Sequence, residues 1–186
     1  MVNEREAVTE AFETFLQLEL ASWKGAEGTA MLSDDRDAAF VRRLIGNLAE
    51  RGEASVGLLR LDGRAIAGQV VLYCGPVAYT WKTAFDVAYA KYSPGMLLID
   101  KLTEQLFAAG PVQAIDSCSA AGSFMGQIWA GRLAMTGLLV ETGPWPSLAF
   151  MMEAARRSGY VRLKALRDRL RTAKVLPAPK RNAVPR

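Results

Sequence analysis

Tyr92, Ser93, Pro94, Gly95, Met96 and Leu97 form the stretch best suited to holding a charged group. Serine at a cap position, proline at the first helical position and glycine after it announce a helix N-terminus, because proline there needs no donor. The free N–H groups and positive dipole end of such a terminus hold anions. A polar loop with Lys82, Asp86 and Lys91 precedes it. A capped core helix after an ordinary loop is the other reading, and on these residues alone the two stand level.

The chain has no histidine. That excludes a Ser-His-Asp or Cys-His catalytic set and any histidine-bearing zinc site. Proton transfer therefore falls to Asp, Glu, Lys, Tyr, Cys or water. Asp86 stands beside apolar Phe85 and near Tyr89, surroundings that strengthen a carboxylate as a base; a loop-capping role is the equal alternative. Lys82 ends a strand near an open sheet edge, where it binds an anion or is simply solvated. Cys118 lacks a histidine to activate it and reads as a buried structural cysteine.

The elements that must carry these groups follow from periodicity. Residues 4–20 read as a helix with Val8, Phe12, Phe15, Leu16 and Glu19 near helical spacing, the last position polar. A loop with Trp23, Lys24, Gly25 and Gly28 follows, on these residues alone a connector with Trp23 plugging the core. A second helix covers 35–51, capped by Ser33 or Asp34, with Phe40, Val41, Leu44, Ile45 and Leu48 inward. Asp62-Gly63 turns a hairpin of strands 54–61 and 64–74. Strand 77–83 leads to the helix opened by Ser93, which buries Met96, Leu97, Leu98, Ile99, Leu102, Leu106 and Phe107. A buried strand is expected over 112–118, a helix over 124–135, a strand over 138–141 and a helix over 148–172 interrupted near Gly159. Proline-rich residues 177–186 read as disordered.

At 186 residues with 51% apolar content the chain has a proper core. No apolar run reaches the roughly 18–20 residues that cross a bilayer. The acidic, amphipathic start is no secretory signal. Two cysteines without metal-binding spacing fit a reduced, cytoplasmic setting. The net charge of +4 is uneven: residues 156–186 carry +10, the remainder −6. The basic end reads as a docking helix for an acidic partner, a nonspecific nucleic-acid surface or a solvated end; without interleaved aromatics, no specific nucleic acid is expected.

TWKTAFDVAYAKYSPGMLL resembles the signature of the GNAT-type acyltransferase domain in its FemAB-like, cellulose-biosynthesis-associated branch. LELASWKGAEGTAM and LLRLDGRAIAGQVVLY resemble the branch's other signature and its central hairpin. The resemblance covers roughly residues 12–142 and implies an α/β (α+β) fold, a mixed, mostly antiparallel sheet flanked by helices. Residues 1–143 would be the acyltransferase domain, 144–176 a basic helical extension and 177–186 a tail. A short strand near 29–32 would supply the first strand, and strands 64–74 and 77–83 would splay around the donor's pantetheine arm.

The implied activity is N-acyl transfer, foremost acetyl transfer, from acyl-CoA to an amine, with acetyl-CoA as donor and no metal. Lys82, Tyr92, Ser93, Pro94, Gly95, Met96 and Leu97 would hold the donor. Asp86 would take the proton; Asp116 would orient the amine or pair with Arg132. Trp23, Lys24 and Arg132 would line the acceptor site. Lys-Tyr-Ser-Pro-Gly-Met departs from the usual phosphate loop, Gln/Arg-x-x-Gly-x-Gly/Ala, so an aminoacyl-tRNA donor stays open. Relatives carry a further N-terminal domain, which makes this chain a catalytic half, a fragment or a non-catalytic assembly module, with a protein partner or homodimer as company.

Overall fold

The computed structural model describes residues 4–120 and 122–173. They fall into two units divided between Gly131 and Arg132.

In the first unit, α1 (Glu4–Leu20) places Phe12, Phe15 and Leu16 on one face, at helical spacing, and all are buried. The short α2 (Trp23–Ala26) follows; Ser22 caps it by accepting the Lys24 amide at 3.3 Å. A 3-10 turn, Met31–Ser33, occupies the place where a strand was expected. α3 (Asp35–Glu50) is capped by Asp34, whose carboxylate accepts the Arg36 and Asp37 amides. Val41 and Ile45 are buried, but Phe40 is exposed because it lies well round the helix from both.

Asp62 and Gly63 both take positive φ, 49° and 81°, the conformation a two-residue hairpin turn demands. They join β1 (Ala54–Leu61) to β2 (Arg64–Cys74). β3 (Val77–Phe85) pairs antiparallel with β2 along its length, from Cys74↔Val77 to Ala67↔Phe85. The expected splay between these two strands is therefore absent: their ladder is continuous except at one bulge. α4 (Pro94–Ala108) crosses back to β4 (Ala114–Asp116), which lies parallel to β3. The sheet order is β1-β2-β3-β4.

Helices cover both faces of the sheet. A Cβ at Gly68 would meet the Phe15 side chain at 2.8 Å, which places α1 on one face; at Gly57 it would meet Leu102 at 2.8 Å, which places α4 on the other. The main core joins Phe12, Phe15, Leu16, Val41, Ile45 and Val70 on the α1 face. A smaller cluster of Val71, Ala78 and Val112 gathers Tyr73, Leu106 and Ile115. Leu98 and Ile99 are buried on α4 as expected, whereas Leu97 and Phe107, also expected inward, are exposed.

Past β4 the expectations fail in a consistent way. The strand over 112–118 shortens to the three residues of β4. The helix over 124–135 contracts to a 3-10 turn, Phe124–Gln127. Ser123 makes no side-chain cap there, and glycines at 126 and 131 each cost a helix about 1 kcal/mol. Residues 138–141 are irregular. Among the described residues they pair with no strand, so no ladder satisfies their backbone.

In the second unit, α5 (Leu148–Ala173) runs through Gly159 without interruption. Ser147 caps it, its hydroxyl accepting the Phe150 amide at 3.1 Å and donating to Glu141 at 2.7 Å. The Ser147 amide, donating at 2.9 Å, and then the Ser147 hydroxyl hold the Glu141 carboxyl below its ordinary pKa. Leu148, Leu163, Leu166 and Leu170 are exposed. The proline-rich segment 177–186 lies outside the described residues. No helix among the described residues is long and apolar enough to cross a membrane.

Candidate active site

β3 outruns its neighbour. β4 pairs with it at Val77, Ala78 and Tyr79. One further tie, from the Thr80 hydroxyl to the Asp116 carbonyl at 3.4 Å, ends the contact. Residues 81–85 therefore present an edge that β4 does not ladder. The edge begins at a bulge: the register steps from Val70↔Lys82 to Val71↔Thr80, which leaves Trp81 opposite no residue of β2. A bulge of this kind bends and twists the strand.

Side chains alternate across that edge. A Cβ on Gly95 would sit 3.7 Å from both Thr83 and Phe85, so the start of α4 lies over these two. Lys82 and Ala84 point to the opposite face, toward α1. The open edge thus has α4 on one side and the end of α1 on the other.

The α4 side is a backbone site. Ser93 takes a left-handed conformation, φ 50°, and its hydroxyl makes no cap bond. It caps with its carbonyl instead, which accepts the Met96 and Leu97 amides at 3.0 and 3.2 Å. Its own amide donates to Ala90, and Pro94 has none. Gly95 is left as the spare amide of the first turn among the described residues, and both Pro94 and Gly95 are buried. Tyr92 and Leu97 are exposed, with the Lys91 ammonium 4.7 Å over the Tyr92 ring. The dipole of the helix remains; the run of free N–H groups expected there does not.

The α1 side is built from charged side chains. Glu19 is 0% exposed. Its Oε1 accepts from Lys24 Nζ at 2.9 Å and lies 3.7 Å from Lys82 Nζ; its Oε2 accepts the Met31 amide at 3.0 Å. Lys24 Nζ also donates to the Thr83 carbonyl at 3.0 Å. One carboxylate thereby binds α1, α2, the turn after it and β3. Trp23, read by one alternative as a core plug, is 52% exposed beside this cluster. Glu19 escaped functional notice in the sequence, although an acid on the apolar face of α1 was the signal: a charge there must be paired to be buried.

The remaining candidates separate. Asp86 caps the 3-10 helix Val87–Tyr92 by accepting the Ala88 amide at 3.0 Å, and it pairs with Arg64 at 2.6 Å. Asp116 accepts the Cys118 amide at 2.8 Å. Cys118 is exposed rather than buried. Partial desolvation and the Asp116 carboxylate push its thiol pKa up, which keeps it protonated and a poor nucleophile at neutral pH. Arg132 belongs to the second unit. A cavity of about 260 Å³ lies at the far end of α4, lined by Tyr73, Leu106, Ala109 and Val112 among others, and includes none of these groups. Among the described residues no acidic, histidine or cysteine cluster suits a metal ion.

Residues 2–124 match the family described as the acetyltransferase (GNAT) domain. No curated protein matches the chain. Among solved structures, a possible acetyltransferase from Clostridium difficile 630 aligns over 72% of this chain and 93% of its own, at 10% identity and a TM-score of 0.53. That likeness supports the fold. An aminoglycoside acetyltransferase from an uncultured soil metagenomic sample aligns over 72% and 94%, at 14% identity and TM-score 0.49. PaiA N-acetyltransferase from Thermoplasma acidophilum, in complex with coenzyme A, aligns over 57% and 73%, at 15% identity and TM-score 0.41. With 123 consecutive residues matched, the chain belongs to the acetyltransferase (GNAT) domain family.

Proposed function

We propose that this protein is an N-acyltransferase that moves an acetyl group from acetyl-CoA to the amine of an acceptor. The observation that carries the reading is the edge of β3 beyond Tyr79. A pantetheine arm contains two amides, and an unladdered strand edge offers backbone partners for such amides, as in strand addition, apart from the Thr83 carbonyl that Lys24 holds. The dipole of α4 and the Gly95 amide stand on one face for the donor's diphosphate; Lys82 lies on the opposite face, away from it. Tyr92, Ser93, Met96 and Leu97 would border the donor.

The acceptor amine attacks the thioester carbonyl, a tetrahedral oxyanion forms, and coenzyme A leaves as its thiol while the amine loses a proton. We assign proton removal to Asp86 and orientation of the amine to Asp116, with Trp23 and Lys24 lining the acceptor side. The WKG and Ser-Pro-Gly signatures favour the FemAB-like branch, and the setting we assign is the cytoplasm.

Acetyl-CoA binding tests this directly. A ligand that binds only the native state at 100 times its Kd raises stability by about 2.7 kcal/mol, visible as a rise in Tm. No shift at millimolar acetyl-CoA would leave a non-catalytic module as the reading, a role favoured by the single amide at the start of α4. Asp86→Asn keeps an oxygen for the Ala88 amide, so the turn persists. It should lower kcat by about 100-fold with donor affinity unchanged. An equal loss in both, or in neither, removes Asp86 as the base.

A further inference from the structure

We infer that Glu19 is a positioning residue that turns Lys82 into an anion-recognising group, and that the acceptor taken here carries a carboxylate near its amine. The inference rests on the acyltransferase reading. Glu19 is fully buried; its two oxygens accept from Lys24 and the Met31 amide, and one of them also pairs by charge with Lys82. Lys24 has two of its three N–H donors engaged, at 2.9 Å to Glu19 and at 3.0 Å to the Thr83 carbonyl. Lys82 is held more loosely. Its ammonium lies 3.7 Å from Glu19, beyond a tight hydrogen bond, and its side chain is 30% exposed.

One carboxylate faces two ammonium groups, so the cluster carries a surplus positive charge, and the surplus sits on the lysine that reaches solvent. A carboxylate from a ligand would neutralise it and accept the donors Lys82 has to spare. Donor phosphate is the competing partner. Against it, Thr83 and Phe85 lie under the start of α4, whereas Lys82, the residue between Trp81 and Thr83, projects to the α1 face. An anion at Lys82 therefore stands across β3 from the helix terminus, on the side we assign to the acceptor.

The experiment pairs short peptides with their C-terminal amides, glycylglycine with glycylglycinamide first, because the two amines are similar and only the distal charge differs. Thiol release from acetyl-CoA gives kcat/KM, and calorimetry gives acetyl-CoA affinity separately. The wild type should favour acid over amide by about tenfold, the scale of one charge-assisted hydrogen bond. Lys82→Met should bring that ratio close to unity with acetyl-CoA affinity unchanged. Glu19→Gln should raise KM for the acid and shrink the ratio, and Glu19→Asp should recover part of it. A structural role alone would depress both substrates equally and leave the ratio intact, which overturns the proposal. So does a Lys82→Met variant that keeps its preference or loses acetyl-CoA instead. If Glu19→Gln does not fold, the Lys82→Met ratio decides. Acetyl-CoA binding without turnover of any acid sinks this inference alone; failure of the wild type to bind acetyl-CoA sinks the acyltransferase reading and this inference with it.

Discussion

Two helix ends meet β3 from opposite faces, and they are built on different principles. The start of α4 is made of backbone: a left-handed serine, a proline and one spare amide. The end of α1 is made of side chains: a buried carboxylate with two lysines around it. The backbone site depends on little beyond its local sequence and holds no net charge. The side-chain site exists only because residues 19, 24, 31 and 82, spread over the chain, come together. A substitution at the first should be cheap, and one at the second should be felt across the domain.

That contrast predicts a graded series. Glu19→Ala removes the shared partner, strands the Met31 amide and leaves two ammonium groups facing each other. It should cost about 3 kcal/mol, the lower end for breaking a buried pair, measured by denaturant unfolding. A loss under about 0.5 kcal/mol, the range of a neutral surface change, would show the cluster is ornamental. At the other site Ser93→Gly should stabilise by about 1 kcal/mol, because glycine accepts a left-handed backbone without strain and no cap bond is lost. Asp34→Ala, where the side chain does cap, should destabilise by about 1 kcal/mol. Equal and unfavourable effects at Ser93 and Asp34 would mean that the two caps work alike.

The smallest effect belongs to the second unit. Glu153 accepts from both Arg156 and Arg157, which pull its carboxyl down to about 2. A depressed acid stabilises the folded state above its unfolded pKa and loses that contribution as pH falls through the folded value. Helicity of α5 should therefore fall slightly between the ordinary carboxylate range near 4.5 and about 2, as read by far-UV circular dichroism, and Glu153→Gln should abolish that slope.

Much of the first unit is legible in the residues themselves. Phe12, Phe15 and Leu16 announce α1, Asp62-Gly63 announces its hairpin, and Pro94-Gly95 announces the start of α4. Each acts locally, through helical spacing, a positive-φ turn or a proline that needs no donor. Legibility declines where an element depends on a neighbour. Residues 138–141 have a strand's composition, yet among the described residues they pair with no strand. Phe40, Leu97 and Phe107 have core composition but point outward, because helix rotation against the sheet is settled by the whole face rather than by one residue.

The chain's own order of residues determined the succession of helices and strands from α3 to α4, the tight turn and the absence of imidazole chemistry, because these follow from local conformational preference and composition. Tertiary structure alone decided that β4 leaves β3 after Tyr79, that Trp81 forms a bulge, and that Glu19 is enclosed between Lys24 and Lys82. Strand register and the pairing of a buried charge are properties of contacts between distant segments. No window of sequence contains both partners, so only the folded chain could bring them into view.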